Sequence, residues 1–394
     1  MRKRIIPLAL SLALCLSGCG YVAPRSYSSV SPYIEQWTDA EDTSILRASS
    51  YAELLNGVQY FVTKGEQEGV IRLYQYTGDV ETDLETACRE VLEEDPLGAY
   101  ALEDITYHYS HIVTYYECTI TYTYSRTKAQ INAIQKLSGT GLIRSAIADA
   151  LQRGSGELVL DTSDAYADPD RILGLVQEAY YQYPAFAIEY PDPLVTVYPD
   201  TGSRRVVEIA FHWQLSPEEL EQRQEAVQTA AAQMVNSGVS GDTNGLWLLY
   251  SRLSEVLVYD EAGSRSVYAP FFGEAANSEG TALAFQTLCD VAGISCELVQ
   301  GTMDGTSHWW NIVTTKEGSY HVDVSQQQGE DAFLRYDEDM TQHYSWDRQA
   351  HTSCLPPEEE PQTGTPDAPA APATTDQAST PEDDSAGSEE NKIA

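Results

Sequence analysis

The chain has 394 residues, with 60 acidic against 23 basic side chains and a net charge of −37. A surface this acidic repels phosphate, so nucleic acid is excluded as a natural partner. Hydrophobic residues make up 42% and tyrosines number 26, enough for a sizeable core, which excludes disorder of the whole chain.

The N-terminus reads as an address. Arg2, Lys3 and Arg4 form a basic start, and Ile5 to Leu16 form an apolar stretch too short to span a membrane. Leu16-Ser17-Gly18-Cys19 follows. This "LSGC" resembles a bacterial lipobox, which implies a signal peptide over 1–18, lipidation of the Cys19 thiol and anchoring on the extracytoplasmic face of the cell membrane. Cleavage before Cys19 leaves Cys88, Cys118, Cys289, Cys296 and Cys354 as further cysteines. Five is odd, so they do not all pair within one chain, and secretion permits disulfides without fixing their pairing. No C-x-x-C spacing is present, so a zinc cage is not expected. No cofactor is expected.

Residues 19–45, rich in Ser, Pro and Tyr, read as a tether between lipid and body. Two similar stretches follow. One ends in the alternating "YYECTITYTYS" and the other in "VVEIAFHWQLS". Asp83 aligns with Asp170, Pro96 with Pro184 and Ile120 with Ile209, an offset of 87 to 89. Each copy reads strand, helix, strand, strand, which predicts a duplicated α+β module over 46–153 and 154–225. A helical stretch from Thr127 to Gln152 is expected to close the first copy. Another starts at Ser216-Pro217-Glu218-Glu219, where Ser216 suits the cap and the acids suit the helix dipole. His108 and His111 lie three apart in a predicted strand and so point to opposite faces, which argues against a metal pair.

Residues 226–354 carry the informative pattern. Ser278 to Ala292 reads as a buried helix stopped by Gly293, with Cys289 on its apolar face. "ISCELVQG" then reads as a strand, and "HWWNIVTT" and "SYHVDVS" as a hairpin. Asp323 stands in an otherwise apolar run, where a carboxylate needs a partner. His308, on the neighbouring strand, is that partner if a bulge or splay brings them together, since counting around the turn leaves the two out of register. His321, on the same strand face as Asp323, is a weaker candidate. From 355 to 394 the chain is Pro-, Ala- and Thr-rich with ten acidic residues and one basic, and reads as a disordered acidic tail. Once the signal and tail are set aside, the tether and body still carry −31.

Residues 240–354 resemble the transglutaminase-like superfamily in its bacterial cell-envelope form. The resemblance rests on Tyr259-Asp260, Glu279-Gly280, Ala292-Gly293-Ile294, Val299-Gln300-Gly301, His308-Trp309-Trp310-Asn311 and Tyr320-His321-Val322-Asp323, in that order. It is extended by "YSWD" and Cys354. It implies a papain-like α+β domain with a Cys-His-Asp triad, in which a thiolate attacks an amide carbonyl. His308 and Asp323 fall on the triad's His and Asp, but Ser278 occupies the nucleophile position. A hydroxyl is a far weaker acid than a thiol and cannot form a resting ion pair with imidazole.

The fold class expected is therefore α+β, a duplicated module followed by a transglutaminase-like domain. The leading functional expectation is a lipid-anchored envelope protein whose domain is non-catalytic. It binds peptide, protein or cell-wall segments beside Ser278 and His308, with Trp309, Trp310 and Asn311 as binding residues. The alternatives are a serine-dependent amidase using Ser278, His308 and Asp323, and an interaction protein acting through the duplicated module.

Overall fold

The computed structural model describes residues 45–235, 238–326 and 333–357. The signal segment, Cys19, residues 20–44 of the tether and residues 358–394 of the tail lie outside the described residues.

The first module starts with β1 (Ile45–Ala48), α1 (Tyr51–Lys64) and β2 (Glu68–Tyr74), then α2 (Val80–Glu93), α3 (Pro96–Ala101), β3 (Leu102–Ile112) and β4 (Tyr115–Tyr124). Ser50 caps α1 by accepting the Glu53 N–H, and Gly65 ends it at φ 64°, a conformation open to glycine. Leu54, Val58, Phe61 and Val62 form one buried stripe of α1, and Leu84, Ala87, Cys88 and Val91 one of α2. Both helices cover the same face of a four-stranded sheet with order β1-β2-β4-β3.

The second module repeats this plan. After a short helix α4 (Lys128–Asn132) come β5 (Gln135–Lys136), α5 (Thr140–Gln152), β6 (Glu157–Ser163), α6 (Pro169–Gln182), α7 (Pro184–Ala187), β7 (Asp192–Tyr198) and β8 (Arg204–His212). Its sheet order, β5-β6-β8-β7, is that of the first module. The parallel pairs also agree in register: Ile45 pairs with Val70 and Gln135 with Leu160, 25 residues apart in both. Ile120 and Ile209 hold equivalent ladder positions, opposite Gly69 and Leu158.

Three sequence expectations change here. Each module opens with a strand and a helix ahead of the expected strand-helix-strand-strand, because β1 and β5 are too short to show a period. The stretch from Thr127 to Gln152 is two helices, and α5 belongs to the second module, between β5 and β6, so the boundary at 153/154 falls inside that module. Asp79 and Asp168 cap the equivalent helices α2 and α6, so Asp83 and Asp170 are not equivalent positions. The modules meet where Tyr100, from the end of α3, packs with Val159, Val206 and Tyr198. There the Arg126 guanidinium lies over the Tyr100 ring and pairs with Glu208 at 2.7 Å.

The C-terminal part comprises α8 (Pro217–Val235), α9 (Thr243–Val256), β9 (Val258–Ser264), α10 (Tyr268–Phe271), β10 (Ala275–Ala276), α11 (Ser278–Ala292), β11 (Ser295–Met303), β12 (Thr306–Thr314), β13 (Ser319–Val322), β14 (Phe333–Arg335), α12 (Asp337–Met340) and β15 (Tyr344–Trp346). The helix expected at Ser216 is α8, capped by reciprocal Ser216–Glu219 bonds. The antiparallel sheet runs β14-β13-β12-β11-β15. Helix α11 starts at Ser278 and stops at Gly293, as its sequence predicts, and is buried from Ser278 to Cys289. Its apolar residues join those of the second module and of α8 and α9 in one continuous core. The chain is thus mixed α+β, with the second module and the C-terminal part sharing a core.

Candidate active site

The start of α11 is locked from three sides. Asn277 caps it by accepting the Gly280 N–H at 3.1 Å. Glu279, 1% exposed, takes a forked pair of bonds from Arg265, at 2.6 and 3.1 Å, and a third from the Tyr181 hydroxyl at 3.1 Å. Gly280 leaves room for neighbouring backbone: a Cβ there would lie 2.7 Å from the Ser264 carbonyl oxygen and 2.9 Å from that of Ser266. In the Ser-Glu-Gly triplet the last two residues therefore fix where Ser278 sits.

His308 and Asp323 meet as the sequence requires, by a splay. The β12–β13 ladder ends at the Asn311–Val322 pair, and the chain then turns into a 3-10 segment over Val324–Gln326. His308 Nε2 lies 2.7 Å from Asp323 Oδ2. That oxygen also accepts the Tyr344 hydroxyl at 2.8 Å, while Oδ1 accepts the Ser325 N–H at 3.0 Å and the Ser325 hydroxyl at 2.6 Å. The Tyr344 phenol is pushed up by burial and then by this carboxylate, so it stays a donor. With a carboxylate as its acceptor, Nε2 carries the imidazole proton and Nδ1 keeps a basic lone pair. Nδ1 makes no hydrogen bond among the described residues. Ser325 and Tyr344 complete the cage and were missed from the sequence. Ser325 follows Asp323 by two residues, and Tyr344 opens the "YSWD" motif.

Ser278 reaches the same strand but a different partner. Its Oγ accepts the Trp309 backbone N–H at 3.3 Å, and no hydrogen bond joins it to His308 among the described residues. Ser278, His308 and Asp323 are thus brought into one neighbourhood, at 5%, 3% and 1% exposure. The site is closed.

The binding residues expected from the sequence divide by strand alternation. Asn311 and Val313 face α11, whereas Trp310 and Ile312 face the opposite core. Asn311 is buried and donates to the Ala282 carbonyl at 3.2 Å, tying β12 to α11, so it does not line a cleft. Trp310 has no exposure and packs edge-on to Tyr344 and Trp346, so it is a core pillar rather than a binding residue. Trp309 alone of the three is partly exposed, and its indole N–H has no partner among the described residues.

His321 serves a second pair. The Trp310 indole N–H donates to its Nδ1 at 2.9 Å, so Nε2 carries the proton and donates to Asp337 Oδ1 at 2.9 Å. Asp337 Oδ1 also accepts the Cys354 N–H at 3.1 Å, and the Asp337 N–H donates to the Cys354 carbonyl at 2.8 Å. The polar atoms of His321, Asp337 and Cys354 lie within 4.8 Å of one another. Yet both imidazole nitrogens are engaged, and burial pushes the Cys354 thiol up to about 12, so neither offers a free lone pair or thiolate to a cation. This trio ties the end of the described chain to the sheet. Asp337, not Asp323, is the partner of His321.

No protein-family model matches the sequence, and no curated protein matches it. Five solved chains show similarity, three of which are described here. One is described as a proposed cysteine protease from Cytophaga hutchinsonii, 10% identical, covering 36% of this chain and 65% of that one, with a TM-score of 0.25. Another is described as a TGase, 9% identical, covering 48% and 56%, with a TM-score of 0.26. The third is described as a proposed protease from Parabacteroides distasonis, 8% identical, covering 54% and 49%, with a TM-score of 0.21. The chain spans between 49% and 65% of the length of these structures. Similarity at this level does not assign the chain to a family.

The His321 pair sets a pH response. Burial, against the pull of Asp337, lowers the proton affinity of His321 below its ordinary value of 6.5. Between the lowered folded value and 6.5 the unfolded chain binds more protons, so stability rises with pH through that window and is lost as pH falls below about 6.5. Denaturant midpoints from about pH 8 to about pH 5 should therefore fall, and fall less in His321→Gln. An identical slope in both chains would contradict this assignment.

Proposed function

We propose that this chain is a lipid-anchored envelope protein with a transglutaminase-like domain that holds peptide, protein or cell-wall segments without cleaving them. The observation that carries the reading is the partner of Ser278. Its hydroxyl is held by the Trp309 backbone N–H at 3.3 Å, while His308 is held by Asp323 at 2.7 Å. Attack by a serine requires its proton to pass to an imidazole within hydrogen-bond reach. A thiol could supply a resting thiolate from this position, and a hydroxyl cannot. The Asp323 cage, with four donors on one carboxylate, supports a structural use of the His308–Asp323 pair.

Recognition is assigned to Trp309. Its buried indole N–H lacks a partner and stands on the residue whose backbone holds Ser278. A carbonyl from an amide-rich segment would satisfy it once the partly exposed ring turns outward, because the atom itself is covered in the closed site. Anchoring rests on Cys19 after the basic and apolar N-terminal segments, because a body charge of −31 is repelled from anionic surfaces.

A second reading, serine-dependent amide hydrolysis through Ser278, His308 and Asp323, is favoured by His308 Nδ1, which has no hydrogen bond among the described residues. A fluorophosphonate probe separates the two. The proposed reading expects labelling of the purified chain no greater than in Ser278→Ala, and labelling that vanishes in Ser278→Ala assigns a hydrolase instead.

Anchoring and recognition are tested together. Cys19→Ser should move the chain from the membrane to the soluble fraction, where it should still sediment with purified peptidoglycan. Adding Trp309→Ala should weaken that retention about fivefold, the effect of one lost hydrogen bond. Membrane residence without Cys19 would sink the anchor, and indifference to both wall material and Trp309 would sink the recognition site.

A further inference from the structure

Cys289 and Cys296 are placed as a pair. Cys289 is fully buried in the last turn of α11, and Cys296 is the second residue of β11. Between them Gly293, at φ 71°, reverses the chain, and the Ile294 N–H donates to the Cys289 carbonyl at 2.9 Å. This folds the start of the strand back onto the end of the helix. Cys296 stands opposite Val313 in the ladder, so it shares the α11 side of the sheet with Val313 and Asn311. Cys296 packs against the same core cluster that holds Cys289. Both sulfurs are free thiols.

We propose that Cys289 and Cys296 are joined by a disulfide as the chain folds outside the cytoplasm. In the cell this rests on the extracytoplasmic placement proposed above, but the chemistry is testable without it. The oxidant is a small or protein disulfide. The thiolate of one cysteine attacks the donor's S–S bond and releases one donor thiol. The second cysteine's thiolate then displaces the other half, so one S–S bond forms, two S–H bonds are lost and the donor leaves as two thiols. Burial, then the neighbouring Cys289, pushes the Cys296 thiol well above its ordinary range, so the exchange belongs to the folding chain and not to the closed one. The bond would fix the end of α11 to β11, and α11 carries Ser278 at its other end. It also accounts for one pair among the five cysteines, with Cys354 engaged separately beside His321 and Asp337.

The test refolds the full chain, carrying Cys19→Ser, in a mixture of oxidised and reduced glutathione, then alkylates it in denaturant. Trypsin leaves both cysteines in one peptide, 266–316. The expected peptide carries no alkyl group and is lighter by two hydrogens. The oxidised chain should melt roughly 5 °C above the reduced chain, and Cys296→Ser should abolish that difference. A peptide with two alkyl groups, or with one alkyl group and one glutathione, would overturn the proposal. The peptide mass is read on the unsubstituted pair, so it decides the matter whether or not Cys296→Ser folds.

Discussion

One carboxylate organises the C-terminal part of this protein. Asp323 accepts four hydrogen bonds, from His308, Tyr344 and twice from Ser325, with 1% of its surface exposed. A buried carboxylate short of partners is costly, so these four donors act as one constraint. It holds β12 to the end of β13 where their ladder has stopped, and it brings β15 to the same point through Tyr344. The second pair, His321 with Asp337, repeats the device two residues earlier on β13 and fastens the segment around Cys354. Trp310 links the two, packing near His308 and donating to His321.

That constraint also sets what the site can do. It fixes the tautomer of His308 and leaves Nδ1 without a hydrogen bond among the described residues, which is half of a hydrolytic arrangement. Among the described residues no hydrogen bond joins the Ser278 hydroxyl, an acceptor of the Trp309 N–H, to His308, and a hydroxyl is intrinsically a poor acid. Glu279 and Gly280 fix the start of α11 with an ion pair and a close backbone approach, and so fix the placement of Ser278.

Much of this was legible in the sequence, and the gaps have physical causes. Helix α11 and its stop at Gly293 follow from periodicity and a left-handed cap. The hairpin follows from two apolar runs around Lys316-Glu317-Gly318. The His308–Asp323 pair follows from the cost of a lone carboxylate among valines. The roles of Trp310 and Asn311 were misread because motif proximity was given more weight than alternation, which places adjacent residues on opposite faces. His321 was matched to the nearest acid in sequence, whereas its partner comes from a helix that only the folded sheet brings near. Strands of four and two residues opened the two modules without a detectable period, although their ladders agree to the residue.

The central claim is that His308 belongs to Asp323 and not to Ser278. Nitrogen NMR of the His308 imidazole, compared between the natural chain and Ser278→Ala, tests it most directly. The account predicts a proton on Nε2, an unprotonated Nδ1, and resonances unchanged by the substitution. An Nδ1 resonance displaced when Ser278 loses its hydroxyl would show the two side chains hydrogen-bonded in solution, and would contradict it.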